Sequence, residues 1–435
     1  MTSTFRALLG ATALCALAPA AFAETLTIAT VNNGDMIRMQ GLTADFTAQH
    51  PDITLEWVTL EENVLRERVT ADIATGGGQF DVLTIGTYEV PIWGAAGWLT
   101  SLNDLPASWD VDDLLPAIRG GLTVDGNLYA APFYGESSMV MYRTDLMAAA
   151  GMEMPAAPTW ADIRAAAEAM NDPANEIYGI CLRGKAGWGE NTAFITAMSN
   201  SFGARWFDET WQPQFDSPQW AATLDFYLDL LNNFGPPGAS SNGFNENLAL
   251  FQQGKCGMWI DATVAASFVT GADSTVAEHV GFALAPDNGL GKRSNWLWAW
   301  SLAIPSSTDT PEAAKAFVAW ATSKEYLALV AANEGWANVP PGTRASLYAN
   351  PEYAAVPFAQ MTLDSINAAD PNNPTVDPVP YVGVQFVAIP EFQGIGTQVG
   401  QIFSAALAGQ MTATEALAQA QALTTREMTA AGYIQ

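Results

Sequence analysis

The feature that most restricts the fold is an alternation near the start of the chain. Leu26–Val31 reads as an apolar, β-branched strand. Asn32-Asn33-Gly34 turns the chain, and from Asp35 onward Met36, Met39, Leu42 and Phe46 recur at helical spacing until His50-Pro51 ends the run. Leu55–Val58 reads as a second strand. Asn63 is placed to cap a second helix carrying Leu65, Val69 and Ile73, which stops at Gly76-Gly77-Gly78. Phe80–Ile85 is a third strand. Strands separated by whole helices do not pair as hairpins, so this rhythm predicts a parallel sheet covered by helices on both faces.

The alternation resumes further on. Met139–Tyr142, Ile177–Leu182, Cys256–Ile260, Val280–Leu284 and Trp296–Ile304 all read as strands. Thr159 and Asp162 form a capping box for a helix ending near Met170. Pro218–Asn233 places Trp220, Leu224, Tyr227 and Leu231 on one helical face. Thr310-Pro311 opens another helix, with Thr as its cap and Pro at its first position. The last two helices span about Gly396–Ala408 and Thr412–Ala430. A chain of 435 residues accommodates two or three domains. With no internal repeat and no long linker, the expectation is two α/β lobes, each a mainly parallel sheet flanked by helices. In such sheets ligands bind beyond the carboxyl ends of the strands, here in a cleft between the lobes.

Composition narrows the function. Hydrophobic residues make up 49% and charged residues 14%, which excludes a disordered chain. The net charge of −28, with no Lys/Arg-rich run, sets the chain against nucleic acid and anionic lipid. Only two histidines are present, so His-based catalysis and His-rich metal sites lack material; no cofactor or metal is expected. Residues 1–23 read as a secretory signal peptide: Arg6, an apolar run from Ala7 to Leu17, and Ala21-Phe22-Ala23 at the cleavage point. The run is too short to anchor the chain in a bilayer. Leu14 before Cys15 departs from the small residue that bacterial lipoproteins carry there. The mature chain starting at Glu24 is expected in the periplasm, as a monomer. It keeps Cys181 and Cys256, an even pair that in an exported protein suggests a disulfide; two buried free thiols are the alternative.

The residues at the strand ends carry the chemistry. Asn33 follows the first strand, Tyr88 the third, and Glu136 precedes the strand at 139. Arg183, Trp188 and Asn191 follow the strand ending at Leu182, and Asp261 follows Ile260. Trp296, Trp298 and Trp300 lie on one strand, and Trp336 sits in a loop after Gly335. Carboxylate, guanidinium and amide groups offer paired donors and acceptors to vicinal hydroxyls, and indole faces pack on C–H surfaces. The set suits a neutral polyhydroxylated ligand. Gly76-Gly77-Gly78 lacks the GK[ST] of a phosphate loop. Bland roles stand beside these: Glu136 solvated, Asp261 capping a helix, Arg183 paired with a neighbouring carboxylate, and Trp298 and Trp300 packed in the core.

Ordered segments along the whole mature chain resemble the extracytoplasmic solute-binding proteins of carbohydrate ABC transporters, the maltose-binding-protein-like group. They are Phe80-Asp81-Val82, Tyr88-Glu89-Val90-Pro91, Pro132–Ser138 and Met141–Leu146. Ile180–Lys185, Trp188–Asn191 and Met258–Thr263 are most similar to polyol (sorbitol or mannitol) binders. The resemblance implies two lobes that close on ligand about a hinge and deliver it to a membrane permease driven by a cytoplasmic ATPase. It implies a first lobe of about 24–140 plus 304–333 and a second of 141–303 plus 334–435. It makes Glu136, Arg183 and Asp261 expected ligand contacts and places Phe392 near an aromatic platform. No catalysis is implied. The competing class is a secreted glycoside hydrolase with Glu136 and Asp261 as paired carboxylates; a ligand-free adhesion or chaperone role is a further alternative.

Overall fold

The computed structural model describes residues 24–435, so the leader expected at 1–23 lies outside the described residues. Strands β1 (Glu24–Val31), β2 (Ile53–Leu60) and β3 (Val82–Ile85) form as the alternation requires. β1 lies between β2 and β3 and runs parallel to both. Two more strands, β4 (Ala130–Glu136) and β8 (Trp298–Ala303), complete a five-stranded sheet in the order β2-β1-β3-β8-β4. A second, three-stranded sheet has β5 (Ser138–Arg143) between β6 (Met258–Ala262) and β7 (Val280–Leu284).

The two-lobe α/β plan holds, but the sheets are not mainly parallel. β8 is antiparallel to β3 and β4, and both pairings of the second sheet are antiparallel. β4 and β5 are separated by Ser137 alone, which sends one nearly continuous extended segment from the first sheet into the second. The sheet therefore changes at Ser137 and again between Leu284 and Trp298, with β8 wholly in the first sheet. Residues 341–344 also rejoin the first lobe: the Pro341 and Thr343 carbonyls accept from the amides of Gly135 and Leu115. Buried Arg344 donates to the carbonyls of Asp110 and Thr322.

Several local expectations change for identifiable reasons. Ile177–Leu182 forms no strand: it makes two isolated parallel bridges, Tyr178 to Cys256 and Cys181 to Trp259, and an antiparallel one from Ile177 to Asp172, while the Ile180 amide leaves the ladder for the Phe234 carbonyl. Glu61, not Asn63, caps the Glu62–Thr75 helix, its carboxylate accepting from the amides of Asn63 and Val64. Asn63 instead donates to the Ala186 carbonyl at 3.2 Å. Thr310 makes no cap; its hydroxyl turns to Asp81. The Thr159–Asp162 box forms as expected, and Thr412 with Glu415 forms another. Cys181 and Cys256 are joined, with Cα atoms 5.8 Å apart, which ties the 177–182 segment to the chain just ahead of β6.

Candidate ligand site

The carboxyl ends of β1 and β4 and the start of the Glu62–Thr75 helix face the segments that follow Leu182 and Gly243. Between them lies a cavity of about 170 Å³, far above the roughly 10–15 Å³ that a single water needs. The first lobe contributes Asn33, Glu61, Glu62, Tyr134, Glu136 and Trp300. The second contributes Arg183, Lys185, Glu190 and the start of the Phe244–Gln252 helix. A smaller adjoining cavity of about 40 Å³ shares Glu62, Glu136, Arg183 and Trp300 and adds Arg66, Trp188, Trp296 and Trp298.

Glu136 is the last residue of β4 and is 5% exposed. Burial pushes its carboxyl well above the usual range; Arg183 opposes that, and Asp261, Glu62 and Asp35 add to it. No hydrogen bond from a described residue reaches it, so neither of its oxygens is committed and the group remains to bond something in the cavity. Arg183 is held in a fork: Nε lies 2.9 Å and Nη2 2.7 Å from the two oxygens of Asp261, and Nη1 donates to the Gly189 carbonyl at 2.9 Å. Asp261 is fully buried and also accepts from the Trp259 indole (3.1 Å) and the Ala262 amide (2.7 Å). Glu190 lies 3.4 Å from Arg183 Nη1. Burial lifts its carboxyl from 4.5 to about 7, against the pull of Arg183.

The aromatic wall is organised by a cation. Arg66 lies on the Glu62–Thr75 helix, where the four-residue spacing from Glu62 lets the two pair at 2.8 Å. Its Nη1 donates to Glu89 at 2.6 Å. The guanidinium sits 4.0 Å from the Trp188 ring centroid, 4.9 Å from Trp298 and 4.8 Å from Trp300. Trp188 belongs to the second lobe, so this contact bridges the cleft. The buried indole N–H groups of Trp188 and Trp298 have no partner among the described residues, and both residues line the smaller cavity. Two donors and one carboxylate thus await hydroxyl partners on a surface of ring faces.

The structure sorts the expected residues into three groups. Asn33, Glu136 and Arg183 line the larger cavity, and Trp188, Trp296 and Trp298 the smaller. Asn33 also donates to the Tyr134 hydroxyl at 2.5 Å. Asp261 and Asn191 stand behind the lining. Asp261 orients Arg183, so the ligand-contact and helix-cap readings give way to an anchoring one. Asn191 spends its amide on the Gly400 carbonyl (2.8 Å) and accepts from the Gly187 amide (3.3 Å). Tyr88, Phe392 and Trp336 lie outside both cavities. The Tyr88 hydroxyl donates to the Ile389 carbonyl and accepts from the Gln393 amide, each at 3.0 Å, joining the lobes. Phe392 backs Trp188, with ring centroids 6.0 Å apart. Trp336 is half-buried in a short turn beside Asn338, which receives Arg38.

Glu62 and Arg66 were not among the expected site residues, because a capped amphipathic helix explains them without a ligand. Their available signal was scarcity: Arg66 is one of few cations, spaced one helical turn from Glu62. Tyr134, Lys185, Glu190 and Trp300 flank the strand ends in sequence, but which of them turned inward was not legible there.

The family described as bacterial extracellular solute-binding protein matches residues 33–328. A mannitol-binding protein of Pseudomonas aeruginosa is 59% identical over 434 residues, covering both chains fully. The crystal structure of an ABC transporter solute-binding protein of Agrobacterium vitis, with bound D-mannitol, superposes at a TM-score of 0.94 with 70% identity, over 95% of this chain and all of that one. A ribitol complex from Agrobacterium radiobacter superposes at 0.82 with 25% identity, over 93% of this chain and 99% of that one. The chain belongs to the bacterial extracellular solute-binding protein family.

Proposed function

We propose that this protein is the substrate-binding component of an ABC transporter and captures a linear hexitol, D-mannitol foremost, between its two lobes. The observation that carries the reading is Glu136: a buried carboxyl group with no donor among the described residues, set between Arg183 and a tryptophan wall. Ligand hydroxyls donate to Glu136 and accept from Arg183 and the free indole N–H groups, while the ring faces pack on the carbon chain. The relatives found with mannitol and ribitol support the same ligand class.

The mechanism is closure without chemistry. A ligand that bridges both lobes binds the closed arrangement better and shifts the hinge equilibrium toward it. From sheet membership and the bonds of Arg344 and Ser346 we take the lobe edges at about 136 and 298 in place of 140 and 304, and carry the first lobe's last segment to about 346. The closed form would dock on permease subunits after export to the periplasm through the 1–23 leader. Asp261, saturated by Arg183, Trp259 and Ala262, has no lone pair directed at a cavity, which removes the paired-carboxylate arrangement of a hydrolase.

Titration calorimetry of the purified protein with D-mannitol, D-sorbitol, ribitol and maltose tests this. Saturable heat with mannitol, and none with maltose, is the expected result. Maltose binding alone would keep the transport role and discard the hexitol; no heat from any of the four would overturn the reading.

A further inference from the structure

The charge of the cleft has a consequence for ligand choice. Five carboxylates line the larger cavity (Glu61, Glu62, Glu136, Glu190 and Glu246) against two cations, Arg183 and Lys185. Both cations are already committed. Arg183 forks onto Asp261, and Lys185 pairs with Glu61 at 2.6 Å and stands 3.8 Å from Glu190. The cation of the smaller cavity, Arg66, is held between Glu62 and Glu89. Among the described residues each positive group of the cleft is thus already charge-paired with a carboxylate: Arg183 keeps N–H capacity for a hydroxyl but no uncompensated charge for an anion. Glu136, in contrast, lines both cavities, is 5% exposed, and is bonded by no donor of the described residues.

We infer that the cleft also takes protonated amino-alditols, linear polyols in which one hydroxyl is replaced by an ammonium group, and rejects aldonates, in which a terminal carbon is a carboxylate. The inference rests on the reading of the cleft as a hexitol site. An ammonium brings three donors and a full positive charge to Glu136, and so favours the ionised carboxylate that burial disfavours in the empty cleft, where a hydroxyl brings one donor and no charge. A carboxylate in the same place would bury a further negative charge in a cleft that already disfavours the ionised form of Glu136, with every neighbouring cation already paired to an acid.

The test is competition calorimetry at pH 7 against D-mannitol. D-mannitol has two-fold symmetry, so its 1-, 2- and 3-amino-deoxy derivatives place an ammonium at every carbon position in turn. The expected result is that at least one amine binds as tightly as mannitol or tighter, while D-mannonate binds on the order of 100-fold more weakly, the scale set by an unpaired buried charge. In Glu136→Gln, the affinity of that amine relative to mannitol falls about tenfold or more, as expected for loss of a charge-assisted bond. All three amines binding more than about tenfold more weakly than mannitol, or mannonate binding within about tenfold of it, overturns the inference and leaves the hexitol reading intact. An absence of heat with mannitol itself overturns the hexitol reading.

Discussion

Asp261 accepts from two nitrogens of Arg183, from the Trp259 indole and from the Ala262 amide, whereas Glu136 accepts from none of the described residues. Both are buried acids at the ends of strands, and the number of donors around each separates their roles. Removing the Asp261 carboxylate strands a buried guanidinium, so Asp261→Ala should cost about 3–5 kcal/mol of stability. Chemical denaturation with the midpoint and slope both measured checks this. Glu136→Ala should instead weaken hexitol binding by about 1.5–3 kcal/mol, the worth of hydrogen bonds to a charged group, without lowering the melting temperature. A Glu136→Ala protein that melts early would mark that carboxylate as structural.

Glu190 and Asp35 give a pH dependence at the same scale. Burial, opposed by Arg183, lifts Glu190 to about 7, and burial, opposed by Arg38, lifts Asp35 from 3.8 to about 6. For an acid raised on folding, its stabilisation is complete below the unfolded value and is lost as pH rises through the folded one. These two groups therefore lower the melting temperature progressively between about pH 4 and 7. Calorimetry of Glu190→Gln should show a flatter profile toward pH 7 than the parent; an unchanged slope would remove Glu190 as a contributor.

At the scale of elements, the segment from Ile177 to Thr192 carries most of the second lobe's share of the site, yet has little regular structure of its own. Its start is held by a bridge from Cys181 to Trp259 in β6, and just ahead of that strand by a bridge from Tyr178 to Cys256 and the Cys181–Cys256 bond, which closes a separation of 75 residues. Its end is a kinked turn, Trp188–Thr192, fastened by Asn191 to the Gly400 carbonyl and by Thr192 to the Gly396 carbonyl at 2.8 Å each. Replacing both cysteines by serine should cost about 2–5 kcal/mol. Because Arg183 and Trp188 ride on this segment, hexitol affinity should fall as well. Reduced-state melting with calorimetry separates the two effects; unchanged affinity would show that the packing alone holds Arg183 in place.

At the scale of the whole molecule, the lobes meet through few groups. Lys185 pairs with Glu61, Asn63 donates to Ala186, Tyr88 reaches the 389–393 turn, and Trp188 stacks on Arg66. Gly189 comes so close that a Cβ there would lie 2.1 Å from Glu62 Oε1 and 3.0 Å from Arg66 Nε. Gly189→Ala should therefore push the flexible Glu62 carboxylate off Arg66, loosening the contact between the lobes and the Glu62 edge of both cavities. We expect hexitol affinity to drop by about tenfold or more, with the ligand-free melting temperature nearly unchanged. Small-angle scattering should show the parent contracting on adding mannitol and the variant contracting less; equal contraction would refute the steric argument.

The periodicity of local segments determined much of this protein without any tertiary information. β1, β2, β3 and the helices beginning at Trp160, Pro218 and Ala413 follow from spacing and capping residues within a few positions of one another. The polar residues at strand ends were legible too, since a strand's end locates them whatever sheet it joins, and Asn33, Glu136 and Arg183 do line the larger cavity. Tertiary structure alone decided the direction of β8, the loss of the 177–182 strand to a carbonyl at Phe234, and the recruitment of Glu62 and Arg66 from an ordinary helix face. It also decided that Asp261 anchors Arg183 while Glu136 accepts from none of the described residues. Periodicity is set by neighbours in the chain, whereas strand direction, burial and the partner of a charge are set by residues dozens to hundreds of positions away.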